Sequence, residues 1–118
     1  MVMVKVFFDV RCPGRSDLKV LSNIAREIEE KLRSRIGADL STHVETYSIR
    51  VFPHQKVISV GNEVRTIWYL RIIAVYSPRG EQTVRVDTIE SFDILFELVR
   101  EACESSGCYI DDVDIRTI

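Results

Sequence analysis

Val64-Arg65-Thr66-Ile67-Trp68-Tyr69-Leu70-Arg71-Ile72-Ile73-Ala74-Val75-Tyr76 is the longest run of strand character in the chain, and its reading decides the fold. Successive side chains of a strand point to opposite faces. Trp68, Leu70, Ile72 and Ala74 therefore share one face, and Ile67, Tyr69, Arg71, Ile73 and Val75 share the other. Both faces are largely apolar. A strand of that kind lies centrally in a sheet and is covered, at least in part, on both sides.

Working outward toward the N-terminus, Gly61-Asn62 reads as a tight hairpin turn and Lys56 to Val60 as extended. Tyr47, Ile49 and Val51 alternate with Ser48 and Arg50, and Pro53 is expected to end or bend that strand at a sheet edge. In the other direction, Ser77-Pro78-Arg79-Gly80 reads as a turn and Thr83 to Val86 as a short strand. Asp87 with Glu90 resembles a capping box. A helix with the stripe Phe92, Leu95, Phe96, Val99 and Cys103 follows, closed by Gly107. Cys108 to Ile118 is the last strand, with Val113 and Ile115 facing inward.

At the start of the chain, Val2, Val4, Val6, Phe8 and Val10 alternate with Met3, Lys5, Phe7 and Asp9, which makes a strand with one strongly apolar face. Arg11-Cys12-Pro13-Gly14-Arg15 breaks it, and Ser16 or Asp17 caps a helix. Leu18, Leu21, Ala25, Ile28 and Leu32 form that helix's apolar stripe, with Ile24 beside them, and Gly37 is expected to close it. The order of elements gives an α+β, two-layer sandwich of the ferredoxin-like βαββαβ kind. An extra hairpin is expected around residues 53–66, and both helices lie on one face of an antiparallel or mixed sheet. Residues 1–118 are read as a single α+β domain.

Composition bounds the function. With 46% hydrophobic residues, five glycines and three prolines, disorder and low complexity are excluded. A formal charge of −2 argues against a dedicated nucleic-acid binder. The charge is unevenly spread: residues 11–79 carry 12 basic and 7 acidic groups, residues 80–118 carry 3 and 10. Such a split favours either acidic and basic elements lying side by side or a dipolar surface used in assembly. Twelve arginines against four lysines, with only four Asn and Gln, lean toward a thermophilic source. Lys5 and Asp9 interrupt the first apolar stretch, and no run approaches the ~20 residues of a membrane span. A cytoplasmic location is expected, with no membrane contact and no cofactor.

Five residues after the first strand, Arg11, Cys12, Gly14, Arg15 and Ser16, form a candidate site for a small phosphate-like anion. A cysteine among arginines also favours thiolate, so a thiol-dependent enzyme is a second expectation for this loop. Protein tyrosine phosphatase loops place arginine six residues after the cysteine, where this chain has Leu18. Val4 to Val10 leading to Cys12-Pro13 resembles the opening of thioredoxin-like disulfide oxidoreductases, with Arg15 where the second cysteine would stand. In a ferredoxin-like sheet the last strand lies beside the first, so Cys12, Cys103 and Cys108 gather at one end. There they either pair, react or simply pack. Asp111, Asp112 and Asp114 read as a solvated edge strand rather than a metal site, and no metal ligand set is assigned.

The sheet face away from the helices is the most informative surface. Phe7, Ile67, Tyr69, Arg71 and Ile73 lie there, and burial against a second subunit is the expected outcome. Aromatics on an open sheet are similar to those of RNA-recognition domains, which implies RNA binding as an alternative. Ile67-Trp68-Tyr69-Leu70-Arg71-Ile72 does not reproduce that family's motif. The strand order also resembles the tautomerase superfamily, which forms trimers through its sheets. That family depends on an N-terminal proline, whereas this chain begins Met1-Val2. His43 and His54, the only histidines, complete no triad. The functional expectation is a small soluble self-associating binding or assembly protein without a catalytic constellation, a homo-oligomer of dimer size or larger.

Overall fold

A computed structural model describes residues 3–40, 44–78 and 84–117. Val2, His43, Arg79, Gly80, Thr83 and Ile118 fall outside the described residues. Along the chain the elements are β1 (Val4–Arg11), α1 (Leu18–Asp39), β2 (Val44–Val60), β3 (Glu63–Pro78), α2 (Val84–Glu104) and β4 (Tyr109–Thr117). The four strands are ordered β2-β3-β1-β4 and every pairing is antiparallel. This is the ferredoxin-like arrangement, built directly from the register.

β1 sits in the middle because its even-numbered residues are uniformly apolar. Val4, Val6, Phe8 and Val10 are buried against the helices, opposite Tyr76, Ala74, Ile72 and Leu70 of β3. Leu21, Ala25, Ile28, Leu32 and Ile36 of α1 cover them at three- and four-residue spacing, with Leu95, Val99 and Cys103 of α2 alongside. Burying a side chain such as Phe8 or Ile28 contributes about 1.5–3 kcal/mol each. The molecule measures 51 × 29 × 17 Å along its principal axes, and its smallest dimension holds one sheet and one helix layer.

Several expectations are corrected. The extra hairpin at 53–66 is not a separate unit; β2 and β3 form one continuous hairpin, paired from Val44 with Pro78 to Val60 with Glu63. Pro53 does not end β2. Val51 N–H points away from β3, donating to Glu29 Oε1 of α1 at 2.9 Å. Pro53, two residues on, has its nitrogen on that same outer side, so no ladder bond is lost. The short strand at Thr83–Val86 is not formed: residues from Val84 onward belong to α2, so this helix begins before Asp87. A four-residue alternation does not distinguish the two periods. Gly37 does not close α1, which runs on to Asp39, where Leu40 N–H caps it by donating to Ile36 O at 2.9 Å. The buried positions Ile36 and Leu40 extend the stripe past the glycine. Val113 is half-buried as expected, but Ile115 is exposed.

Candidate functional site

The loop after β1 is built from its own sequence. Arg15 N–H donates to Cys12 O at 3.1 Å, and Gly14 has φ 75°. Proline followed by a left-handed glycine is the signature of a type II turn. Asp17, not Ser16, caps α1, its carboxylate accepting from Lys19 N–H at 2.8 Å. That carboxylate already answers the positive end of the helix. The expected anion therefore has no free helix N-terminus to sit on.

Cys12 and Cys108 are joined by a disulfide with their Cα atoms 4.3 Å apart. Arg11 pairs with Tyr109 across β1 and β4, and the two cysteines are the next residues outward on each strand. Bonded sulfur carries no thiolate, so the reading of Cys12 as a reactive thiol is corrected. Cys103 is the free cysteine; it is buried, and burial, with Glu104 beside it, pushes its thiol up to about 12. Arg15 is committed elsewhere: its Nη1 donates to Ser106 O at the end of α2, where a cation is favoured by the helix dipole. Gly107, with φ 75°, lies under that guanidinium, and a Cβ there would come within 3.2 Å of Arg15 Nη1.

Because β1 stops at Arg11 while β3 runs on, a cleft opens between the turn, the root of the β2–β3 hairpin and the start of β4. It has a volume of about 460 Å³ and is lined by all five candidate anion-site residues together with Thr66, Ile67, Trp68 and Tyr109. Arg11 is half-buried, and among the described residues its guanidinium has no ion-pair or hydrogen-bond partner. A smaller pocket of about 130 Å³ lies next to it on the open sheet face, where Arg11 and Lys56 face Asp9 and Asp111. Sequence reasoning set the start of β4 beside the end of β1 but did not single out Trp68 and Tyr109, because the residue-by-residue register is needed to bring them to one cleft.

The open sheet face is less bare than expected. Phe7 is surrounded by Lys5 Nζ at 5.2 Å, Arg71 Cζ at 5.7 Å and Arg116 Cζ at 5.1 Å from its ring centroid. Arg71 pairs with Asp9 at 3.0 Å and donates to Tyr69 Oη at 3.3 Å. Burial alone would lower the Arg71 pKa, but the hydrogen bond and charge of Asp9 raise it. Burial and Asp9 raise that of Tyr69, against the opposing pull of Arg71. Tyr69, expected at an interface, is only 5% exposed within the single chain, with the His54 ring centroid 5.3 Å away. It has no free face on which to stack a base. Ile67 and Ile73 are half-buried.

The large apolar side chains left in water include three on the arm formed by the distal hairpin: Val57 is 65% exposed, Val60 48% and Val64 72%. Beyond Leu70, β3 has no β1 partner, so this arm is two-stranded. Among the described residues no cluster could hold a metal ion, and no helix is long and apolar enough to cross a membrane.

No protein-family model matches the chain, and no curated protein matches it. Among solved structures it is similar to B. subtilis GlnK in a complex with ATP, at 16% identity and a TM-score of 0.45, covering 99% of this chain and 82% of that one. It is also similar to the periplasmic divalent cation tolerance protein CutA from Archaeoglobus fulgidus, at 12% identity and a TM-score of 0.36, covering 98% and 81%. A de novo designed protein with a ferredoxin fold matches at 12% identity and a TM-score of 0.39, covering 100% and 84%. At these identities and scores the likenesses say nothing of what this chain binds.

Proposed function

We propose that this chain is a homo-oligomeric binding or assembly module whose copies meet through the sheet and its protruding arm. The observation that carries the reading is the arm itself. A two-stranded hairpin is marginal in water without something to pack on, yet this one extends past the sheet and exposes Val57, Val60 and Val64.

Charge favours a second copy as the occupant. Lys56 leaves the arm with a net positive charge, Arg65 being paired with Glu63, while Asp112 and Asp114 are exposed on β4, at the opposite edge of the sheet. A basic arm set against an acidic edge gives a head-to-tail contact, which closes into a ring when the rotation allows. Phe7, Ile67, Arg71 and Ile73 then lose their remaining exposure beneath the neighbour, whereas Tyr69 has little left to lose.

Sedimentation velocity at micromolar concentration is expected to show a dimer or larger species at low salt that weakens as salt rises. Val57→Thr with Val64→Thr should give a folded monomer. A wild-type monomer across the whole concentration range would end the proposal.

A second reading, binding of a small anion in the turn cleft, is favoured by one specific observation. Arg11 is half-buried there and, among the described residues, makes no ion pair, although Asp9 and Asp111 line the neighbouring pocket with it. Phosphate or sulfate should raise the melting temperature of the wild type, and Arg11→Gln should abolish the shift. No shift in the wild type would dismiss it.

A further inference from the structure

Resting on that second reading, we infer that the turn cleft takes an organic anion carrying a planar ring, the charged group on Arg11 and the ring against Trp68 and Tyr109. The cleft, at about 460 Å³, lies within the range of small-molecule sites and far exceeds what a bare inorganic anion fills. Its free charged groups are few. Arg15 donates to Ser106 O, and the carboxylate of Asp17 occupies the α1 N-terminus. Arg11, which borders Asp9 and Asp111 in the neighbouring pocket but pairs with neither, is left as the uncommitted cation on the wall, and a single guanidinium suits one carboxylate or phosphate group.

Two aromatic side chains also line the cleft. Tyr109 is 49% exposed, Trp68 is half-buried at the core's margin, and both line the cleft with Ile67. Rings with one face packed and the other wet gain from stacking on a planar partner. Arg11 and Tyr109 are cross-strand partners in the β1–β4 ladder, and the Cys12–Cys108 disulfide follows immediately beyond them. Charge and ring are thus held at a fixed spacing by strands rather than by a loop.

Trp68 is the only tryptophan in the chain, so its emission reports on the cleft directly. Phenyl phosphate is titrated against inorganic phosphate and against phenol, with inorganic phosphate followed by displacement and by thermal shift. Phenyl phosphate is expected to shift the emission saturably and to bind roughly tenfold or more tightly than inorganic phosphate, the difference a ring stacked on aromatics supplies. Arg11→Gln should weaken phenyl phosphate by roughly tenfold or more, and Tyr109→Ser should narrow the gap between the two anions. Both variants are checked for an unchanged circular dichroism melt. Equal affinity for the two anions would overturn the ring assignment while leaving the anion reading intact, and binding of neither would sink both. Phenol matching phenyl phosphate, or undiminished phenyl phosphate binding in Arg11→Gln, would overturn the role given to Arg11.

Discussion

Tyr76 is a fully buried side chain whose hydroxyl finds no partner among the described residues, and burial alone pushes its pKa up to about 12 from 10.0. A buried unpaired hydroxyl costs about 1–3 kcal/mol. Tyr76→Phe removes it with almost no change in shape, so a rise in the urea midpoint at pH 7 is expected; a fall would mean the hydroxyl is satisfied. The same residue predicts alkaline behaviour. Above pH 10 an unfolded chain ionises this tyrosine while the folded chain holds its proton until about 12, so stability falls across that window. Cys103, raised to about 12 from 9.0, adds a loss of the same sign that begins about one pH unit lower. The slope of stability against pH between 9 and 12 should be shallower in Tyr76→Phe with Cys103→Ala than in the wild type. The burial of both was legible in the alternation and helical spacing. The missing partner of the Tyr76 hydroxyl was not, because a pattern of apolar positions does not say where a polar tip ends.

At the scale of elements, Gly37 gives a test with a definite sign. It sits inside α1, where glycine is about 1 kcal/mol worse than alanine. An alanine Cβ would meet only Tyr47 Oη, at 3.3 Å. That hydroxyl is the far end of an exposed side chain, which can swing aside. Gly37→Ala is therefore expected to raise the melting temperature slightly, and a drop would show Tyr47 pinned in place. Reading Gly37 as the helix end failed because glycine marks a terminus only where the backbone turns left-handed, as at Gly107. Element type was otherwise readable from the long periodic runs, Val64 to Tyr76 and Leu18 to Leu32. Pro53 does lie on an edge strand as expected, but its power to end that strand, and the period of Thr83 to Val86, were misread for local reasons. An edge strand tolerates proline on its outer side, and four residues cannot fix a period.

For the whole molecule, the bond from Cys12 to Cys108 spans 96 positions and ties the end of β1 to the start of β4. The gathering of these cysteines followed from strand order, whereas the choice between pairing and packing needed the geometry. In the chain-entropy view, closing so long a loop contributes up to about 4–5 kcal/mol. Reduction, or Cys108→Ser, is therefore expected to lower the melting temperature by roughly 10–20 °C. The reduced chain should still fold, because the bond is one member at the end of a core that otherwise rests on apolar side chains of β1, β3 and both helices. An unchanged melt on reduction would show that the two strand ends stay docked without it. Reduction also separates the two proposed activities. Freeing the Pro13-Gly14 turn from β4 loosens the wall of the turn cleft, while the arm, held by the β2–β3 ladder, keeps its pairing. Anion binding should weaken on reduction at a temperature where the chain remains folded, and the sedimentation coefficient should not change. Loss of both together would mean that assembly itself builds the cleft.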